Sequence, residues 1–257
     1  EMEQPLRRRH NPVLGTSAAI ETPDGLADAF FVAPTKGKHP GILIWPDVIG
    51  LRPGFEQMAH RMAEDGYAVL VVNHFYRSTK APFLKPEEDW RQPEISEKIT
   101  SWRKALTRSA TASDVKAFVG WLDKQKSVDT RRGIGCTGYC LGGPMAMIAA
   151  ASLPDRVRAG ASFHGAGVAT DNLDSPHLLV PLMNAQFLFA IAENDDERNP
   201  HEKEKLRTAF AASGLSAEIE VYDGAMHGWC PIDSRVYNQA QAEKAWERQL
   251  ALFERAL

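Results

Sequence analysis

Cysteine is scarce in this chain: three residues in 257, at positions 136, 140 and 230. So few, and an odd number, build no disulfide framework, and the count fits a reducing compartment. A cytoplasmic protein is expected. No apolar run reaches the roughly 18 residues needed to span a bilayer, so no membrane association is expected. An excess of one charge sign is also missing: 30 Lys and Arg stand against 33 Asp and Glu, a formal net charge of −3. Nucleic-acid binding favours a basic face, so that balance argues against such a partner. No H-E-x-x-H, C-x-x-C or P-loop occurs, and neither a cofactor nor a metal is expected.

What is present is an ordinary globular balance, 44% hydrophobic and 25% charged, with no internal repeat. The first ten residues are polar and carry Arg7, Arg8 and Arg9 with no apolar stretch behind them. They read as a solvated arm rather than a secretory signal. The expected organisation is an N-terminal arm over 1–16 and a single domain over 17–257.

Two short runs, Ala18 to Glu21 and Ala27 to Ala33, flank Pro23-Asp24-Gly25 and predict a hairpin. Apolar runs at 41–45 and 67–72 predict strands, and continuous apolar runs suit strands buried on both faces; further strands are read at 133–139, 159–163, 186–192 and 217–222. Between them, helical spacing predicts helices at 55–65, 113–124, 143–151, 200–212 and 238–257. Strands alternating with helices imply an α/β fold with a mostly parallel central sheet and helices on both faces. Ligands then bind at the carboxyl ends of the strands. Residues 77–100 are rich in Pro, Glu and Lys and form an excursion, a possible lid or insertion. Aromatics in and around it, Trp90 among them, are candidates to roof a pocket.

The sharpest local signal is Gly138-Tyr139-Cys140-Leu141-Gly142-Gly143. Strand, tight turn and helix start follow one another, with G-x-C-x-G spacing, as in a nucleophile elbow with Cys in place of Ser. The turn places Cys140 at a helix N-terminus, where the dipole favours a thiolate. The Leu141 amide is positioned to donate to an oxyanion. An elbow needs an acid and then a base later in the chain. Asp195, with Asp196 as second choice, follows the strand ending at Ala192. His227 lies in the loop after the strand ending at Tyr222. His74 and His164 sit at strand ends, where they could line the pocket, as could Trp229.

Together with Trp45-Pro46-Asp47-Val48-Ile49-Gly50-Leu51, Asp65-Gly66-Tyr67-Ala68-Val69, Asn194-Asp195 and Met226-His227-Gly228, this elbow resembles the dienelactone hydrolase family of the α/β-hydrolase fold. The resemblance runs from about Ser17 to Leu257. It implies a Cys140, Asp195, His227 triad and an oxyanion hole built from the backbone amides of Leu141 and Val48. It also implies that the carboxylate at position 47, a Glu in typical relatives and Asp47 here, tunes the resting thiol. Dienelactone-cleaving members bind the substrate carboxylate with a Ser and an Arg shortly after the catalytic His. Gly228 and Pro231 stand at those places here. Tyr76 and Arg77 are the remaining candidates to approach a substrate carboxylate.

The expected chemistry is hydrolysis of a small-molecule ester or lactone through a thioester, by a monomer or homodimer. Two other readings use the same residues. In one, Cys140 is a redox sensor with Cys136 or Cys230 as resolving thiol. In the other, the fold is a catalytically silent binding module.

Overall fold

A computed structural model of the chain describes residues 10–257; the arginines at 7–9 lie outside the described residues. Eight strands form one sheet in the order β1-β2-β4-β3-β5-β6-β7-β8. The hairpin is β1 (Val13–Thr22) and β2 (Gly25–Pro34), antiparallel to each other, with β2 antiparallel to β4. Every later pairing is parallel: β3 (Gly41–Trp45) with β4 (Ala68–Val72) and β5 (Ile134–Tyr139), then β6 (Val157–Phe163), β7 (Gln186–Ala192) and β8 (Ala217–Tyr222). The hairpin turns on Gly25, whose φ is +127°. Because β1 begins at Val13, residues 13–16 are part of the sheet and not of the arm expected over 1–16.

The helices are α1 (Pro53–Glu64), α2 (Pro93–Arg103), α3 (Arg108–Asp123), α4 (Gly142–Ser152), α5 (Glu193–Arg198), α6 (Glu202–Ala212) and α7 (Gln239–Ala256). No described helix is long and apolar enough to cross a membrane.

Strands β3 and β4 are apolar and buried at every position because both faces are covered. Along β3, Leu43 and Trp45 enter one core cluster with Val115 and Phe118 of α3. Ile42 and Ile44 enter the other, with Phe55 and Met62 of α1 and Leu252 and Phe253 of α7. This is the period-2 alternation of a strand read on both sides. The α4 helix is buried over most of its length, including Met145, Ala146, Met147 and Ala150, and it fixes the start of the candidate site.

The excursion over 77–100 is not plain coil. It turns through Pro82 and Pro86, begins α2 at Pro93, and packs Phe83 against Trp102 at 5.0 Å and Phe75 at 6.0 Å.

Candidate active site

Three strands deliver three side chains to the same sheet edge. Cys140 follows β5, Asp195 follows β7 and His227 follows β8. The Cys140 backbone has φ +56°, a left-handed conformation uncommon for a residue with a Cβ. Two glycines make that turn possible. A Cβ on Gly138 would lie 1.8 Å from the Gly142 carbonyl oxygen, and one on Gly142 would lie 2.3 Å from the Trp45 carbonyl oxygen. The Cys140 carbonyl is turned away to accept from Gly143 and Ala166, at 3.0 and 3.1 Å.

The imidazole of His227 bridges the other two groups. Its Nε2 is 3.1 Å from Cys140 Sγ and its Nδ1 is 2.6 Å from Asp195 Oδ2. The His227 amide donates to Asn194 Oδ1 at 2.8 Å, which pins the loop that carries the ring. Burial disfavours the imidazolium, but the Asp195 carboxylate and the Cys140 sulfur outweigh it, and the His227 pKa rises to about 10. Asp196, the second choice for the acid, instead accepts from Lys203 at 2.7 Å. Among the described residues, the amides of Val48 and Leu141 donate to no protein acceptor, so both remain available to an incoming oxygen.

These groups open onto a cavity of about 670 Å³. Its apolar wall includes Val48, Ile49, Leu84, Trp90 and Val236. Leu84, Glu88, Asp89, Trp90 and Arg91 of the excursion thus line the cavity.

His164 forms part of the floor, fully buried, with φ +39° and no hydrogen-bond partner on either ring nitrogen. Its ring meets that of His227 edge-on at 5.4 Å. Burial first, and then the neighbouring His227, hold it well below the usual histidine range and therefore neutral.

Other expected site residues go elsewhere. Asp47 lines the cavity, but its carboxylate is turned to Arg52, accepting from Nη1 at 2.6 Å and Nη2 at 3.0 Å, and to the Ile49 amide at 3.0 Å. A guanidinium five residues on holds this short carboxylate more firmly than a thiol would. Asp47 is therefore not the tuning partner of Cys140 in this state. Tyr76 and Arg77 do not reach the cavity either. The Tyr76 hydroxyl donates to Asp114, and Arg77 grips Asp114 and Asp24, tying the hairpin end to α3. Trp229 is fully buried between His164 and Tyr222, with ring centroids 5.2 Å away on each side, so it backs the floor and does not line the cavity. His74 is also fully buried, its ring tilted against Phe75 at 4.1 Å, and burial depresses its pKa to about 3.

The two remaining cysteines are poor resolving thiols. Cys136 is in the β5 core, and burial pushes the thiols of both Cys136 and Cys230 up. The spacing Gly133-x-Gly135-x-x-Gly138 is a dinucleotide fingerprint only by letters. Gly135 and Gly138 lie within β5, not at a strand-to-helix turn that could cradle a pyrophosphate.

Residue order alone does not reveal three contributors to the site: Asn194, Arg52 and Asp233. Arg52 joins Asp47 to Asp233, 181 residues away, and no local pattern marks such a pair. Glu202, at the start of α6, is a fourth. It is 8% exposed, and burial, with Asp195 and Asp196 nearby, raises its pKa to about 7. A carboxyl with a raised folded pKa favours folding below its unfolded value near 4.5, and that contribution is lost as pH rises through 7. Glu202→Gln is therefore expected to leave Tm unchanged at pH 4 and to raise it by about 2–4 °C at pH 8. A thermal melt at both pH values checks this.

The dienelactone hydrolase family model matches residues 27–257. The chain is 25% identical over 240 residues to the carboxymethylenebutenolidase of Pseudomonas putida, covering 93% of this chain and 95% of that one. It is 26% identical over 225 residues to the carboxymethylenebutenolidase of Rhodococcus opacus, covering 86% and 83%. Among solved structures, a candidate dienelactone hydrolase from Klebsiella pneumoniae superposes with a TM-score of 0.81 at 22% identity, covering 95% of this chain and 99% of that one. The dienelactone hydrolase of Anabaena variabilis superposes with a TM-score of 0.66 at 16% identity, covering 95% and 99%. Both structures share the α/β-hydrolase fold.

Proposed function

This chain belongs to the dienelactone hydrolase family, and from that premise we propose that it hydrolyses an ester or lactone through an acyl-enzyme on Cys140. The observation that carries the reading is the unbroken line of contact from Cys140 Sγ through His227 to Asp195, at 3.1 and 2.6 Å. In this reading the Cys140 sulfur attacks the substrate carbonyl carbon. His227 Nε2 takes up the thiol proton and returns it to the departing alkoxide oxygen. Asp195 holds the Nδ1–H of His227, which fixes the tautomer and steadies the imidazolium.

The carbonyl oxygen, now carrying negative charge, is met by the amides of Val48 and Leu141. Each such donor contributes about 2.7–4 kcal/mol to the transition state in comparable acyl transfers. Water, deprotonated by His227, then attacks the thioester. The acid product leaves and the proton returns to the sulfur, so the cycle needs no other reactant. For a lactone the freed hydroxyl stays on the acyl chain throughout, and the second step releases a single hydroxy acid.

Alkylation tests the reading. Cys140 is half-buried and lines the cavity beside His227, whereas Cys136 is fully buried and Cys230, also half-buried, lines a different pocket and has its thiol pushed up by burial. Iodoacetamide is expected to add one carbamidomethyl group at Cys140 and to remove hydrolysis of a short aryl ester in step. Full activity in protein alkylated at Cys140 would overturn the reading.

A further inference from the structure

The cavity in front of Cys140 is lined by three guanidiniums, each set against a carboxylate, and the buried one, Arg52, is fully engaged. Arg52 is 8% exposed. Its Nε donates to Asp233 Oδ2 at 2.7 Å. Its Nη1 donates to Asp47 Oδ1 at 2.6 Å and to the Gly50 carbonyl at 2.9 Å, and its Nη2 donates to Asp47 Oδ2 at 3.0 Å and Asp233 Oδ1 at 3.1 Å. A guanidinium has five N–H donors. All five are used, and two carboxylates on one cation leave the group with an excess negative charge. At the rim, Arg91 clasps Asp89 through Nε at 3.0 Å and Nη2 at 2.6 Å, and Arg235 lies 3.8 Å from the same carboxylate. With Glu88 beside them, four carboxylates face three guanidiniums across the cavity.

We propose that this site selects uncharged esters or lactones and discriminates against substrates carrying a carboxylate on the acyl chain, with Asp233 as the specificity-determining residue. The proposal rests on the ester and lactone reading above. A substrate carboxylate brought to Cys140 would lose its water, and Arg52, the buried guanidinium of the cavity, has no donor left to offer it in exchange. The substrate would also meet four carboxylates against three guanidiniums along a wall that carries Val48, Ile49, Leu84, Trp90 and Val236. An uncharged ester loses little on entry and gains contact with Val48, Ile49, Leu84 and Val236. Asp233 is the adjustable element. Its side chain is 41% exposed, so neutralising it leaves Arg52 bound to Asp47 while freeing positive charge toward the cavity.

The test uses two aryl esters that differ only in charge: a mono-aryl adipate and the same compound with its free carboxylate methylated. In the wild type, kcat/KM for the methylated compound is expected to exceed that for the acid by at least about tenfold. The ratio is expected to shrink as salt screens the charges. In Asp233→Asn it is expected to fall about tenfold, toward parity. Equal or better turnover of the acid by the wild type would overturn the proposal, as would a ratio unmoved in Asp233→Asn. If neither ester is cleaved above the Cys140→Ala background, the hydrolase reading is what fails. Charge selection is then read separately, from calorimetric binding of the two unreactive ketone analogues to the wild type. Tighter binding of the uncharged ketone supports the proposal, and equal or tighter binding of the acid overturns it.

Discussion

Cys140→Ala is expected to lower kcat for a short activated ester by about 10⁴- to 10⁶-fold, the range seen when the nucleophile of a catalytic triad is removed. It is also expected to leave Tm within about 2 °C of wild type, because the substitution deletes one half-buried sulfur and keeps the Cβ. The strain of the left-handed turn at φ +56° is the same for alanine as for cysteine. The glycines that make room for the turn, Gly138 and Gly142, are untouched. Loss of activity with the fold intact is therefore a statement about the sulfur. Steady-state kinetics and a thermal melt on the same preparation separate the two. The pair of readouts also speaks to the redox alternative. A sensor thiol would leave no esterase activity to lose, and the raised pKa values of Cys136 and Cys230 leave Cys140 without a ready resolving thiol.

The second large effect is structural. Arg52→Ala is expected to cost about 3–5 kcal/mol of stability, the usual penalty for stranding a buried charge by deleting its partner. For a domain of this size that is a fall in Tm of about 6–20 °C. The stranded group is Asp47, whose side chain is 11% exposed; Asp233, 41% exposed, recovers water. Arg52 also lies over the Phe55 ring at 4.9 Å, so some of the loss is packing. A double-mutant cycle tests the assignment. Adding Asp47→Asn to Arg52→Ala is expected to restore part of the lost stability, because an amide costs less to bury unpaired than a carboxylate. A Tm for Arg52→Ala within about 2 °C of wild type would mean that the network contributes little.

The parts of the structure legible in the sequence share a physical basis. Strand β7 falls on the apolar run at 187–192, because a strand covered on both faces has a sharp compositional edge, whereas the edge strand β8 shows alternating Glu218 and Glu220 and stops at the turn residues Asp223-Gly224. The convergence of Cys140, Asp195 and His227 follows from chain order. Parallel strands place every strand's carboxyl end on one side, so loops far apart in sequence meet there.

The parts that were not legible lack a local signal. The α2 helix has weak amphipathicity and lies in a proline-rich excursion, while α5 is six residues of acidic sequence that read equally well as a loop. Tyr76 and Arg77 follow a strand end and so invite a functional reading. Their direction is decided by Asp114, a buried carboxylate on α3 with nothing in its own surroundings to announce it. Asp47 is the clearest case. Position 47 suggests a carboxylate aimed at the thiol, but Arg52 and Asp233 turn it aside, and that pairing exists only once residues 52 and 233 meet in the fold.

The central claim is that acyl transfer passes through a covalent bond to Cys140 sulfur. The most direct measurement is intact-mass spectrometry of the wild-type protein, acid-quenched during turnover of an activated aryl ester, followed by peptide mapping. The account predicts a species heavier by one acyl group, bound to the peptide that contains Cys140 and absent from Cys140→Ala. Steady turnover with unmodified Cys140 throughout, or an acyl group carried on another residue, would contradict it.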